Sequence, residues 1–236
     1  MTRRRWIADE VSGNRAALTG DHALHLIRAL RARVGEEFDV VANGELRQAK
    51  IAKIEDQRVE FALGEAIATK PLAQIIIALS VFKFDRMEWA IEKCTELGAG
   101  CIVPILAQRT EIHLASAAAK RVERWRRIAK QSAEQSRRAS VPEIKMPVPA
   151  KEAVTLPAEI KIILDESERD TKFSDLLAAS SSTIAVAFGP EGGWTPEELH
   201  LFHEAGWKSA SLGPTILRVE TASIAALAII MSSLNN

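Results

Sequence analysis

Apolar and polar positions follow one pattern up to about residue 70 and another beyond it. In the first stretch Leu24, Ile27, Leu30 and Val34 recur at helical spacing, Asp21 stands at a capping position and Gly35 supplies a stop. A helix is therefore expected from Asp21 to about Val34. Glu37 to Ala42 then reads as a strand, Asn43-Gly44 as a hairpin turn, Glu45 to Ile54 as the returning strand with partly alternating polarity, and Gln57 to Ala66 as another strand. The composition shifts at Thr69-Lys70-Pro71. This places a small, mainly β domain at 1–70 and a second domain at 71–236.

From Gln74 onward strands alternate with helices. Ile75 to Val81 is an apolar strand. Asp85 to Leu97 is a helix with Met87, Ala90, Ile91, Cys94 and Leu97 on one face and Gly98 as its stop. Strands follow at Cys101 to Leu106, Ile160 to Leu164, Thr183 to Phe188 and Ser209 to Leu212. Helices are expected from about Ser116 to Arg138, from Pro196 to Ala205, and after the last strand. Such alternation predicts an α/β fold, a mainly parallel sheet with helices on both faces. The longest apolar run, Ala222 to Met231 broken only by Ser223, is short of the roughly 20 residues of a membrane helix. It reads as a buried helix.

Two strand-to-helix turns carry the candidate chemistry. Gly189-Pro190-Glu191-Gly192-Gly193 follows the Thr183 to Phe188 strand and leads into Thr195-Pro196-Glu197-Glu198, a capping box with proline at the first helical position. Leu212-Gly213-Pro214-Thr215-Ile216-Leu217-Arg218 follows the last strand and leads into the final helix. In a parallel sheet both turns lie at the carboxyl edge, where backbone groups and helix N-termini face a ligand crevice. One glycine-rich turn alone is as well explained by ordinary chain reversal. Two such turns make a pocket.

Charge changes the picture only locally. With 31 basic and 31 acidic residues the chain has no global polyanion-binding signature. The 116–138 helix nevertheless carries Lys120, Arg121, Arg124, Arg126, Arg127, Lys130, Arg137 and Arg138 against Glu123 and Glu134, with Val122, Trp125, Ala129 and Ala133 as its apolar stripe. A solvated face is the plain reading of such a stripe. Beside the arginine-rich first domain a phosphate backbone becomes the alternative, with Arg3, Arg4, Arg5, Arg28, Arg31, Arg124, Arg127 and Arg138 as candidate RNA contacts.

The other familiar chemistries lack their motifs: there is no GxGxxG after a strand, no P-loop, no GxSxG and no HExxH. Cys94 and Cys101 fit neither a CxxC nor a zinc pattern and read as reduced core thiols. No metal site is expected. The start, Thr2-Arg3-Arg4-Arg5-Trp6, continues into Asp9 and Glu10 without a signal-peptide apolar stretch, and a cytoplasmic location is expected.

The decad from Gly189 to Glu198, together with Leu212-Gly213, Ile216-Leu217-Arg218 and Glu220-Thr221-Ala222, resembles the ribosomal RNA small subunit methyltransferase E family. Asp85-Arg86-Met87, Thr95-Glu96-Leu97-Gly98, Val103-Pro104, Gln108-Arg109, Glu134-Gln135-Ser136 and His25-Leu26 extend the match over essentially the whole chain. Trp194 stands where phenylalanine is common, and Val219 and Ser223 vary within the last motif. The resemblance implies a PUA-like RNA-holding domain followed by a SPOUT domain with a trefoil knot, in which the last strand, turn and helix thread an earlier loop. It implies a homodimer that methylates N3 of one uridine in 16S rRNA, within the 30S subunit, using S-adenosyl-L-methionine and releasing S-adenosyl-L-homocysteine. The cofactor would be held by Leu164, Gly189, Pro190, Glu191, Gly192, Leu212, Gly213, Pro214, Ile216, Leu217 and Thr221. Arg218, Glu220, Arg109 and Glu191 are the side chains for the transfer step. Arg218, lying between apolar neighbours, needs a partner: Glu191 or Glu220, or else the substrate. The alternatives are ribose 2′-O methylation by the same fold and a non-catalytic RNA-binding or ribosome-assembly protein.

Overall fold

The computed structural model describes residues 5–68, 73–177 and 182–234. The chain forms two compact units, Met1–Pro71 with Ala133–Ser140, and Leu72–Ser132 with Val141–Asn236. The expected linker residues Thr69, Lys70 and Pro71, and the expected RNA contacts Arg3 and Arg4, lie outside the described residues.

The first unit is a six-stranded sheet of β1 (Arg5–Ile7), β2 (Glu10–Ser12), β3 (Arg15–Thr19), β4 (Glu37–Ala42), β5 (Glu45–Glu55) and β6 (Arg58–Ala66), in the order β1-β4-β5-β6-β3-β2. All its pairs are antiparallel except β1 with β4. The hairpin turn falls at Asn43-Gly44, both at positive φ, as a two-residue hairpin demands. The helix is shorter than its periodicity predicts. α1 (Gly20–Leu24) runs into a π-turn over His25–Ala29, and Arg31 then takes φ 52°. Val34 is consequently 61% exposed and does not extend the apolar face. The start of α1 is flanked by Thr19 rather than capped by Asp21. The 133–140 segment joins this unit through Glu134, whose Oε2 lies 3.1 Å from His22 Nε2, and through the Arg137 carbonyl, which accepts from Arg5. Trp6, Leu18, Leu26, Val40 and Phe61 form its core.

The second unit holds the parallel sheet. Its elements are β7 (Gln74–Ser80), α2 (Phe84–Leu97), β8 (Cys101–Leu106), α3 (Ile112–Gln135), β9 (Glu143–Ile144), β10 (Val148–Pro149), α4 (Ala150–Ala153), β11 (Ile160–Leu164), β12 (Thr183–Phe188), α5 (Pro196–Glu204), β13 (Lys208–Ala210) and α6 (Val219–Leu234). The strand order is β10-β8-β7-β12-β11-β13 with β9 beside β8, and every pair is parallel. The two-residue period of β7 splits its side chains between two cores. Ile75, Ile77 and Leu79 pack with Met87 and Ile91 of α2, Trp125 of α3 and Leu227 of α6. Ile76 and Ala78 share the other core with Ala153 of α4, Phe202 of α5 and Trp207. Both faces are thus covered, which is why the strands are apolar at nearly every position. The α3 stripe of Val122, Trp125, Ala129 and Ala133 is buried as its spacing predicts. The helix itself starts earlier, at Ile112, and stops at Gln135 instead of Arg138.

Candidate functional site

β11 lies between β12 and β13, and the three strands run parallel, so the turns that leave β12 and β13 face each other across the carboxyl end of β11. Between them is a cavity of about 460 Å³, within the range of small-ligand sites. Leu164, Phe188 and Ala210, at the ends of the three strands, form part of its wall.

The upstream turn is held from within the protein. Gly193 N–H donates to the Pro190 carbonyl at 2.8 Å, and Gly193 takes φ +70°, a conformation that favours glycine. Arg109 Nη1 donates to the carbonyls of Gly192 at 2.7 Å and Trp194 at 3.2 Å. The capping box is complete: Thr195 Oγ1 accepts from Glu198 N–H, and Glu198 Oε2 accepts from Thr195 N–H. The other oxygen of Glu198, a buried carboxylate, accepts from Gln108 N–H at 2.8 Å. The Trp194 indole donates to the Leu164 carbonyl at 3.1 Å and packs on Phe202 with ring centroids 5.0 Å apart. A Cβ on Gly189 would stand 3.2 Å from the indole nitrogen. Gly189 thus lines the cavity with the indole close behind it, and a larger side chain there would have to displace Trp194.

The downstream turn is open. Gly213, Pro214, Thr215, Ile216 and Arg218 are exposed, Ile216 at 74%. Gly213 sits at φ +140° with no described residue within 4 Å of a would-be Cβ. Among the described residues no hydrogen bond engages the backbone N–H groups of Leu212, Thr215, Ile216 and Leu217.

Of the residues expected at the site, Leu164, Gly189, Pro190, Glu191, Leu212, Gly213, Ile216, Leu217 and Arg218 line the cavity; Gly192, Pro214, Thr221, Arg109 and Glu220 do not. Arg109 is turned to the Gly192 and Trp194 carbonyls instead. Glu220 is 6% exposed in the first turn of α6, with Oε2 lacking a hydrogen-bond partner. Arg218 has no ion-pair partner among the described residues. Both carboxylates proposed for it face Arg86, with Nη1 3.0 Å from Glu191 Oε1 and Nε 3.8 Å from Glu220 Oε1.

The sequence reading missed Arg86, Asp165, Glu166, Arg169 and Trp194 as cavity-lining residues. Asp165 and Glu166 directly follow the strand that ends at Leu164, and that adjacency to the sheet edge is the signal for them in the sequence. In the loop they open, Glu168 accepts from the N–H groups of Thr171 and Asp170, which hold its carboxyl below the ordinary carboxylate range.

The expected RNA contacts fall into two groups. Arg28, Arg31 and Arg127 are exposed and have no ion-pair partner among the described residues. Arg124 is held in a fork by Glu88 at 2.6 and 2.7 Å, which strengthens its hold on its proton. Arg138 is half-buried, and desolvation pulls its pKa down. Arg5 donates to the Arg137 carbonyl.

Comparison with known proteins agrees with this architecture. Residues 68–231 match the RNA methyltransferase domain model, and residues 18–63 match the RNA methyltransferase PUA domain model. The ribosomal RNA small subunit methyltransferase E of Aquifex aeolicus is 32% identical over 227 residues, covering 95% of this chain and 97% of that protein. Its Bacillus subtilis namesake is 31% identical, covering 91% of this chain and 88% of the relative. The crystal structure of the Neisseria gonorrhoeae enzyme of that name, bound to S-adenosyl methionine, superposes with a TM-score of 0.81 at 31% identity over 98% of both chains.

Proposed function

The chain belongs to the ribosomal RNA small subunit methyltransferase E family, and from that membership we propose that it methylates N3 of one uridine in 16S rRNA with S-adenosylmethionine as donor. The observation that carries the proposal is the cavity at the β11 edge, where unspent main-chain N–H groups of one turn face a rigid glycine-rich turn. The site suits the donor on its own chemistry. Leu164, Phe188, Leu212 and Leu217 offer apolar walls to a flat heterocycle, while Asp165, Glu166 and Glu191 stand where a cationic group would need carboxylates.

Bound there, S-adenosylmethionine supplies a methyl group already activated on a sulfonium. The protein's task is alignment and management of the acceptor's proton. Leu212 to Leu217 bind through the main chain, and Gly189 to Glu191 with Leu164 close the opposite wall. Uridine N3 must lose its proton to attack. The Arg218 guanidinium, exposed at the cavity and without an ion-pair partner among the described residues, favours the resulting uracil anion and the adjoining phosphate. Arg28, Arg31 and Arg127 are the side chains we assign to phosphates of the RNA.

Three further features belong to the same reading. The chain acts in the cytoplasm on the 30S particle. It forms a homodimer through α6, a reading supported by the partly exposed Ile224, Ala225 and Ile229 and the exposed Ala228 on that helix. The last strand, turn and helix are threaded as a knot, a reading supported by the bonds of Ser211 N–H to the Thr171 carbonyl and of Phe173 N–H to the Ser211 carbonyl, both 3.0 Å.

Incubating 30S particles lacking the modification with the protein and methyl-labelled donor, then mapping the product by mass spectrometry, tests the proposal. The expected product is one uridine carrying the label on N3. Label on a ribose 2′ oxygen would replace the proposed acceptor, and donor binding without transfer would leave only a binding protein.

A further inference from the structure

Arg86 stands in the first turn of α2, where a cation opposes the helix macrodipole. Asp85 in the same turn is the helix's own complement to the macrodipole, and Lys83 makes no side-chain cap. What holds the guanidinium there is a pair of carboxylates, one from the glycine-rich turn and one from the first turn of α6: Glu191 at 3.0 Å and Glu220 at 3.8 Å. The two ion pairs differ in kind. Glu191 is exposed and lines the cavity, whereas Glu220 is buried, does not line it, and has one oxygen without a hydrogen-bond partner among the described residues. A buried carboxylate needs a partner, and the cation beside Glu220 is Arg86. One planar fork therefore ties the N-termini of α2 and α6 to the glycine-rich turn.

We propose that Arg86 is a positioning residue with two separable tasks: it neutralises buried Glu220 to keep α6 seated, and it fixes the Glu191 carboxylate at the cavity wall in the orientation methyl transfer requires. Only Glu191 Oε1 is engaged by Arg86. Glu191 Oε2 makes no hydrogen bond within the described protein, so it is available to the acceptor base. This inference rests on the cavity being the donor site.

The two tasks separate in an Arg86→Gln variant and an Arg86→Gln/Glu220→Gln double variant, compared by melting temperature, by calorimetric affinity for S-adenosylhomocysteine, and by turnover of 30S particles at saturating donor. The single variant should melt lower and turn over slowly. In the double variant the stranded charge is gone, so the melting temperature should return close to that of the unaltered protein. Its turnover should stay reduced by on the order of a hundredfold, the scale of a reacting group misplaced by about an ångström. Its affinity for S-adenosylhomocysteine should change far less. Full turnover in the double variant would show that Arg86 serves only as counter-ion to Glu220, and a double variant that stays unstable would overturn the division of tasks. Absence of S-adenosylhomocysteine binding by the unaltered protein would remove the donor site itself, and this inference with it.

Discussion

Between Gly192 and Glu198 the turn is tied to the rest of the protein by Arg109 on two carbonyls, by the Trp194 indole and by Glu198, whereas between Leu212 and Arg218 no such hydrogen bonds are made among the described residues. In the first turn the carbonyls of Pro190, Gly192 and Trp194 all accept hydrogen bonds, and Trp194 fills the space beside Gly189. In the second, the five backbone N–H groups of Leu212, Thr215, Ile216, Leu217 and Arg218 have no partner among the described residues, and Ile216 stands exposed. Both turns contain glycine and proline and both precede helices, so composition alone makes them look alike. Their difference is one of role: a turn braced by side chains from elsewhere in the protein is a rigid wall, and a turn without that bracing is where a ligand gains hydrogen bonds.

Valine substitutions at Gly189 and Gly213 test that division most severely. Gly189→Val drives a branched side chain into the Trp194 indole, an overpacking that costs about 1–3 kcal/mol and detaches the wall from the Leu164 carbonyl. At this chain length each kcal/mol lowers melting by about 2–4 °C. Calorimetry should show donor binding abolished as well. Gly213→Val meets no neighbour and pays only for its positive φ, so loss of binding should come without loss of core packing. Equal disruption of the fold by both variants would erase the distinction between the turns.

Arg218→Ala is expected next in size. With no ion-pair partner among the described residues its melting temperature should move by less than about 0.5 kcal/mol in equivalent stability, the usual range for exposed positions. Turnover of 30S particles should fall on the order of a hundredfold, as for loss of one preorganised donor to a developing anion. A large loss of stability with normal turnover would make Arg218 part of the scaffold. Arg109→Ala should do the reverse, removing two hydrogen bonds from the upstream turn at a cost of about 1–2 kcal/mol and disturbing binding only through that turn.

The smallest effect uses the two thiols as reporters. Burial pushes Cys94 up to about 12 and Cys101 to about 11 from an ordinary 9.0, so neither is nucleophilic at pH 8. Folded pKa values above the unfolded one mean that the stability these groups contribute is present below pH 9 and is lost as pH rises towards 11 and 12. Iodoacetamide at pH 8 should leave both thiols unmodified in the native protein and in Gly213→Val, and should label Gly189→Val faster.

The sequence was most legible where a pattern closes within a few residues. Thr195 to Glu198 specified a helix start because both halves of a capping box sit in one turn of chain. Val122, Trp125, Ala129 and Ala133 specified a buried face because helical period alone aligns them. Local patterning failed at β1, β2, β3, β9 and β10, strands of two to five residues that are too short to show alternation and exist because a neighbouring strand pairs with them. It also ran past its mark at Val34, where helical spacing continues but the chain has already turned at Arg31.

The sequence by itself determined the parallel α/β plan and the two turns at the strand ends, because strand period, helix period and capping are all short-range. Which groups meet at those turns was decided by tertiary structure. Arg86, not Arg218, faces Glu191 and Glu220, and the Trp194 indole stands against Gly189. Such pairings depend on the strand order β7-β12-β11-β13 and on how α2 and α6 pack on that sheet. No local pattern encodes them, because an ion pair or a packing contact registers only the distance between groups in space, and that distance is set once the whole sheet has closed.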